Sequence, residues 1–371
     1  MISGYYTSPG GLENVVRDLS IFLAQNSCKV TVFSMYYKDL VGETQNIKHI
    51  VLSPNNILPR ILRFANYERY AYNLRVWRRI KQENSFDIIH GHSGYCFFNA
   101  LFRDKKPFIM TFHGLKRAAK IRIYGSNSRI LKNPRSLPLY FPEEIAAKKC
   151  DLAIAPSKSV KDELISIYGI HPSKIKVIYN GVNTDQFKPM NKDLAKKILR
   201  LPKNKDYVIW VGNNPELKGL STAIDAVKGL RDVYLIVVGV SGTNFENIIF
   251  WGEVQDKAQL CKLYNSASLL ILPTLYEGFP LVTLEAMACG LPIVISQECP
   301  TKEIINDGLE GFVVNERNPK AYSERIKYIL DLDNHNYQEM SFRCRKLAEK
   351  YSWENQGKEY LKVYNTFYQR L

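Results

Sequence analysis

Glu277 and Glu285 flank a Gly278-Phe279-Pro280 turn. An apolar run at 269–272 precedes the first glutamate, and another at 293–295 follows the second. That order reads strand, loop, helix, strand. In such a unit a ligand sits beyond the carboxyl end of the strand, at the free N–H groups of the helix start. Pro280 suits the first helical turn and Gly290 the position just past the helix end. The amides of Leu281, Val282 and Thr283 then lack helical partners, and the helix dipole adds partial positive charge there. A diphosphate is the natural occupant, with Glu277 in the loop facing it and Glu285 about one turn inside the helix. The plain alternative is a strand–helix unit with Glu277 on its surface. Paired carboxylates also suggest glycoside hydrolysis, which needs them roughly 5–10 Å apart across a sugar. Eight helical residues span about 12 Å, so the spacing gives hydrolysis no support.

Other residues could join an anion site. Lys218 lies between Gly212 and Gly219, after an apolar run at 207–211 and before a helical stretch at 220–230. It could pair with phosphate as a point charge, with glycine admitting close backbone approach. It also reads as an ordinary lysine near a helix start. Gly10 and Gly11 open an amphipathic stretch with Leu12, Val15, Val16, Leu19 and Leu23 on one side. Their amides suit an anion, and a flexible turn explains the pair as well. His113 ends the run at 108–112, where it could donate to a sugar hydroxyl or a phosphate; a lone histidine is more often structural. His90 and His92 flank Gly91 and share a strand face, but a metal needs more ligands, so none is expected. Asp331 and Asp333 are read as a chance acidic pair.

The elements that hold these residues alternate. Strand candidates fall at 29–33, 87–90, 108–112 and 152–155, then at 207–211, 233–238, 269–272 and 292–295, with helical or turn stretches between. This is the pattern of parallel sheets with helices, an α/β chain. A length of 371 residues exceeds one ordinary core. The expected division is 1–185, a polar Lys-rich linker, 206–340, and terminal helices at 341–371 that could bridge back to the first domain. In the last, Trp353, Tyr360, Leu361, Tyr364 and Phe367 recur at roughly helical spacing. No repeat or low-complexity tract is present.

No run of eighteen apolar residues occurs, and the N-terminus lacks a basic-then-apolar signal pattern. Seven cysteines without CxxC pairs favour reduced thiols in the cytosol. The charge of +15 is uneven. Residues 1–185 carry 27 Lys and Arg against 14 Asp and Glu, and the rest 24 against 22. Residues 58–81 mix Arg60, Arg63, Arg69, Arg75, Arg78 and Arg79 with aromatics, and ten more Lys and Arg follow at 103–135. A basic, aromatic-rich half suits an anionic membrane surface, or simply a helix with a solvated basic face. No nucleic-acid motif is present.

Taken in series, these motifs resemble the retaining glycosyltransferases of family 4, which have the GT-B fold. The resemblance runs from the Gly-Gly opening with Glu13, through His90-Gly-His92, Thr111-Phe-His113-Gly, Ala155-Pro-Ser157, Asn180-Gly-Val182 and Lys218-Gly219, to the Glu277–Glu285 segment, Glu303–Gly311 and Trp353. It implies two Rossmann-like domains facing each other across a cleft. The C-terminal domain would hold a nucleotide-sugar donor and the N-terminal domain the acceptor. Glu277 is then expected at hydroxyls of the donor sugar and Glu285 at the ribose. Lys218 and the amides of Leu281 and Val282 would hold the diphosphate, joined by Gly11 from the other domain. His113 would lie at the sugar, and 251–254, with Val254, near the base.

The chain departs from that pattern in three places. Asn213 stands where the family usually has an arginine, leaving Lys218 with more of the phosphate charge. Asn183 stands where an aspartate is common. Only residues 1–6 precede the Gly-Gly turn, so the first strand is short or the start lies downstream of the true one.

The expectation is a metal-independent retaining hexosyltransferase without a cofactor, peripheral at the cytoplasmic face of the cell membrane. It would use a UDP- or GDP-sugar and a lipid-linked or glycan acceptor, and bind no nucleic acid. Alternatives are a nucleotide-sugar epimerase or phosphorylase on the same fold, or a non-catalytic nucleotide-sugar-binding subunit.

Overall fold

The structure is a computed structural model and describes residues 10–35, 45–52, 67–83, 85–103, 105–125, 137–315 and 318–369. The chain forms two compact units. One comprises Met1–Asn180 with Trp353–Leu371, the other Gly181–Ser352. The division therefore falls at 180/181 and again at 352/353, earlier than the expected 185 and later than 341.

In the first unit, α1 (Gly11–Gln25) leads to β1 (Val30–Ser34) and β2 (Ile47–Val51). Next come α2 (Tyr67–Glu83), β3 (Ile89–His92), α3 (Phe97–Leu101), β4 (Phe108–Thr111) and α4 (Lys116–Tyr124). Then follow α5 (Leu137–Lys149), β5 (Leu152–Ala155), α6 (Lys158–Tyr168) and β6 (Ile175–Val177). The second unit holds α7 (Lys192–Ile198), β7 (Asp206–Val211), α8 (Leu220–Val227), β8 (Val233–Val238), β9 (Ile248–Gly252) and α9 (Lys257–Ser266). It continues with β10 (Leu269–Leu272), α10 (Leu281–Ala288), β11 (Ile293–Ser296), β12 (Gly311–Val314), α11 (Pro319–Leu330) and α12 (Asn334–Lys350). The last helix, α13 (Trp353–Tyr368), belongs to the first unit.

Every named strand pairing is parallel. The first unit has a β1-β2 pair and a sheet ordered β3-β4-β5-β6; the second has a six-stranded sheet ordered β12-β11-β10-β7-β8-β9. Parallel strands covered on both faces read as continuous apolar runs. β10 and β11 are buried along their whole length for that reason. Around Trp210, Leu235, Ile271 and Val294 the core is closed by Ala223 and Val227 from α8 and by Tyr322 and Ile326 from α11.

In the first unit, α13 lies close against α1. A Cβ on Gly357 would come 2.3 Å from Phe22 Cδ1, so the absence of a side chain there permits the approach. α2 buries Tyr72, Val76 and Ile80 and leaves Arg78 and Arg79 exposed, so it is an amphipathic helix with a solvated basic face. Arg60, Arg63, residues 1–9 and, within 103–135, residues 104 and 126–135 lie outside the described residues.

The expected linker is not one. α7 forms within it and is part of the second unit. Lys196 is 4 % exposed, and its Nζ donates to the carbonyls of Lys203 and Lys205 at 3.1 and 2.8 Å. Four strands were absent from the expected set: β2, β6, β9 and β12. β6 is only three residues long, and β2 carries Lys48 and His49 among its apolar residues. Asp333 caps α12, accepting from the Asn336 amide at 2.8 Å, which accounts for that member of the acidic pair.

Candidate functional site

From β7 the chain of the second unit runs outward to β8 and β9, then crosses back to place β10 on the other side of β7. The carboxyl ends of β7 and β10 thus form the topological switch point, where open parallel sheets bind ligands. Lys218 follows β7 and Glu277 follows β10. Lys218 Nζ lies 2.5 Å from Glu277 Oε1, with the two side chains 15 % and 16 % exposed.

Backbone bonds fix this pair. Lys218 N donates to Asn214 O at 2.9 Å, Leu217 N to Asn214 Oδ1 at 3.1 Å, and Trp210 Nε1 to Lys218 O at 3.0 Å. The Lys218 side chain runs over Gly212, where a Cβ would meet Lys218 Cδ at 2.3 Å. Gly219 has φ +67°, and a Cβ there would meet Pro273 O at 2.0 Å. The Glu277 loop is tied to the same turn. Leu275 N and Thr274 Oγ1 both donate to Leu217 O, at 2.8 and 3.0 Å, and Ser296 Oγ donates to Thr274 O at 2.7 Å.

α10 begins at Leu281. Pro280 is its N-cap, with φ −74° and ψ 120°, one position earlier than the expected first turn, and makes no side-chain cap. Thr283 Oγ1 donates to Pro280 O at 2.8 Å. The Leu281 and Val282 amides stand in the first turn, where an α-helix offers no acceptor four residues back. Gly290, at φ +76°, ends the helix as expected. Gly278 and Phe279 are buried in the turn before it.

Glu285 is 5 % exposed and fully engaged. Its Oε1 pairs with Lys257 Nζ at 3.1 Å, and its Oε2 accepts from the Tyr264 hydroxyl at 3.0 Å. Burial first, and the adjacent Glu285 carboxylate second, push the Tyr264 hydroxyl well above its ordinary pKa. Lys257 opens α9, and its ammonium lies 5.6 Å from the Phe187 ring centroid. Sequence reading missed Lys257 and Tyr264. Their i,i+7 spacing, two turns along one helix face, was the available signal. Asn213 is exposed in the loop after β7, and Val254 half-buried in the loop after β9.

The remaining two site residues belong to the first unit. Gly11 is the exposed first residue of α1. The Glu13 carboxylate folds back over this helix start, so that a Cβ on Gly10 would meet Glu13 Oε2 at 2.4 Å. Burial raises Glu13 to about 7, against the pull of hydrogen bonds from the Glu13 and Gly10 amides. The Gly10 amide at this helix start is thus taken up by the chain's own Glu13 carboxyl.

His113 lies just beyond the carboxyl end of β4. Its Nε2 is 2.9 Å from His92 Nδ1, and the two rings stack 19° from parallel. His90 lies under His92, with ring centroids 4.4 Å apart. Its Nε2 meets Thr111 Oγ1 at 2.8 Å, and its Nδ1 meets the Tyr364 hydroxyl at 2.6 Å. The shared strand face read from the His-Gly-His spacing is thus seen. Burial lowers His113 to about 4 and holds His90 and His92 well below the usual histidine range.

The arrangement in the second unit offers a cation, open helix amides and two held carboxylates at one sheet edge. It suits an anion joined to a hydroxyl-rich group.

The family model "Glycosyltransferase Family 4" matches residues 9–186, and "Glycosyl transferases group 1" matches residues 191–350. A D-inositol 3-phosphate glycosyltransferase of Mycolicibacterium paratuberculosis is 24 % identical, over 93 % of this chain and 83 % of its own. Among solved structures, sucrose-phosphate synthase from Thermosynechococcus elongatus superposes with a TM-score of 0.82 at 20 % identity, covering 100 % of this chain and 96 % of its own. Anabaena HepE in complex with UDP-glucose does so with a TM-score of 0.78 at 18 % identity, covering 98 % of each chain.

Proposed function

This chain belongs to the GT-B glycosyltransferases of group 1, and we propose that it moves a sugar, with retention of anomeric configuration, from a nucleotide diphosphate sugar to a lipid-linked or surface-glycan acceptor. The observation that carries the reading is the Lys218–Glu277 pair at the switch point, beside the open start of α10. A neighbouring fold that holds UDP-glucose supports a UDP-sugar donor, with a GDP-sugar as the other choice.

In this reading the diphosphate sits on the Leu281 and Val282 amides and on Lys218. An ammonium has three protons, so Lys218 can keep Glu277 and take a phosphate oxygen as well. Glu277 accepts from hydroxyls of the donor sugar, with Gly278, Phe279 and Pro280 shaping the turn. Glu285 accepts from the ribose, and Val254 lies toward the base. Gly11 and His113, which the family resemblance also assigns to the donor, lie in the first unit. Exposed Asn213 brings no charge to the phosphates.

As the glycosidic bond breaks, negative charge grows on the leaving diphosphate and positive charge on the sugar ring. Preorganised amides and a lysine favour that charge more in the transition state than in the substrate. Retention asks for attack from the leaving-group face. A diphosphate oxygen then takes the acceptor's proton, and neither a separate protein base nor a metal is required.

The acceptor class and the place of action rest on the first unit. Arg78 and Arg79 are exposed on α2, and Phe102 and Phe141 are exposed elsewhere in that unit. Basic and aromatic side chains together suit peripheral binding to the anionic inner face of a cell membrane. No helix among the described residues is long and apolar enough to cross one. The D-inositol 3-phosphate glycosyltransferase relative makes a phosphorylated polyol a further acceptor to try.

A thermal-shift panel of UDP- and GDP-sugars, followed by transfer assays with the best donor, tests the reading. A donor that raises Tm and is turned over only with an acceptor supports it. Turnover without any acceptor, or only with inorganic phosphate, would point to an epimerase or a phosphorylase and reject it.

A further inference from the structure

His113 is engaged at Nε2 by His92 Nδ1, 2.9 Å away, and one of these nitrogens must carry the shared proton. The other nitrogen of His92 decides which. His92 is 0 % exposed, and its Nε2 has no hydrogen-bond partner among the described residues. If His113 donated from Nε2, neutral His92 would carry its proton on Nε2 as a buried N–H with nothing to bond. If His92 donates from Nδ1, its Nε2 is a bare lone pair instead. A buried N–H without a partner is the rarer orphan of the two in folded proteins. The second arrangement therefore wins, and it puts the His113 proton on Nδ1.

We infer that His92 is a positioning residue that locks His113 as its Nδ1–H tautomer, so that His113 presents a hydrogen-bond donor. The surroundings make the lock rigid. The His92 and His113 rings are 5.2 Å apart between centroids and nearly parallel. From below, His90 packs on His92 while Thr111 and Tyr364 hold both of its nitrogens. Gly91 lets β3 sit close on its other face, where a Cβ would meet Cys96 Sγ at 2.3 Å and Met110 Sδ at 2.5 Å. Burial keeps all three imidazoles neutral near pH 7, so each has one donor and one acceptor nitrogen to assign.

What the fixed donor does to a sugar or phosphate oxygen rests on the proposed transferase reading. The tautomer itself does not. The full chain, labelled with 15N-histidine, is read by long-range proton–nitrogen correlation, with its six histidines assigned through single variants. His113 is expected with a protonated Nδ1 and an unprotonated, hydrogen-bonded Nε2. A protonated Nε2 on His113 overturns the inference.

His92→Asn keeps a side-chain N–H near the Nδ1 position, and His92→Phe keeps a ring without a donor. The Asn variant should retain the His113 Nδ1–H form and the Phe variant should lose it. With UDP-glucose as donor, His92→Phe should lose kcat while KM changes little, and His92→Asn should restore it. Retention of the Nδ1–H form in His92→Phe also overturns the inference. If that variant does not fold, the wild-type and Asn spectra still decide. An unaltered transfer rate in His113→Ala would remove the functional reading and leave the tautomer result standing.

Discussion

Lys218 Nζ and Glu277 Oε1 meet 2.5 Å apart across the switch point of the six-stranded sheet, from loops that follow two neighbouring parallel strands. Each residue thereby supplies the other's counter-charge. Glu277→Ala should abolish transfer with the fold intact, as judged by circular dichroism. Lys218→Ala should lower kcat by about 10²–10³-fold, the usual effect of removing one group aimed at developing charge. Either loss leaves a mostly buried charge unpaired, so the double variant should lose less stability than the two single losses add up to. Undiminished transfer by Glu277→Ala would sink the assignment.

Glu285 is held by two groups that come from one helix, Lys257 and Tyr264. Removing either frees one oxygen of a buried carboxylate, at a cost of about 1–3 kcal/mol. Lys257→Ala and Tyr264→Phe should each weaken UDP binding in calorimetry, because the carboxylate is no longer fixed for a ribose hydroxyl. Glu285→Ala should weaken it at least as much. An unchanged Kd in all three would remove the ribose role.

The architecture around Glu277 could be read from the chain because its signals are local. A continuous apolar run, a Gly-Phe-Pro turn and a closing Gly290 lie next to one another, and they place Glu277 before a helix without further information. The ion pairs could not be read that way. Lys218 and Glu277 meet through a strand crossover, and Lys257 reaches Glu285 between two helices; spacing along the chain encodes neither. The buried Lys196 fails for another reason. Lysine reads as solvent-exposed until backbone carbonyls at 203 and 205 are brought round to receive it. The edge strand β9 was overlooked although Ile248-Ile-Phe-Trp is as apolar as the others, and β6 was too short to stand out.

Gly219 is a position where the backbone itself is under constraint. Its φ of +67° disfavours any side chain, and a Cβ would press on the Pro273 carbonyl, 2.0 Å away. Gly219→Ala should destabilise the chain by about 1–3 kcal/mol in urea unfolding and displace Lys218, its direct neighbour. Donor affinity should fall with stability. Gly229→Ala is the control, since it shares a positive φ but has open space around a Cβ. Equal effects from the two would show that conformation alone, and not the Pro273 contact, sets the cost.

Cys261 and Cys289 face each other with sulfurs 3.8 Å apart, on α9 and at the end of α10. The Cys289 hydrogen bond is the main reason that the Cys261 thiol is lowered to about 6. Burial raises Cys96, Cys150 and Cys299 to about 12. At pH 7 iodoacetamide should therefore modify Cys261 faster than any of these three, since only the thiolate reacts. Peptide mapping by mass spectrometry measures the order. Equal labelling of Cys261 and the buried thiols would contradict it.

Glu13 and His113 should bend the pH dependence of stability in opposite directions. His113 titrates near 4 in the fold against an ordinary 6.5, so the unfolded chain binds more protons between those values. Stability from this residue is lost as pH falls through that window. Glu13 titrates near 7 in the fold against an ordinary 4.5, so there the folded chain binds more protons. Its contribution is full below 4.5 and is lost as pH rises toward 7. At about 1.4 kcal/mol per pKa unit, each effect is at most about 3.5 kcal/mol. Glu13→Gln removes the second limb alone. Urea midpoints measured from pH 4.5 to 7.5 should therefore show the variant gaining on the wild type steadily up to about pH 7, then running parallel to it. Curves that stay parallel throughout would mean that Glu13 is already ionised over the start of α1, with its amides fully committed to that carboxylate.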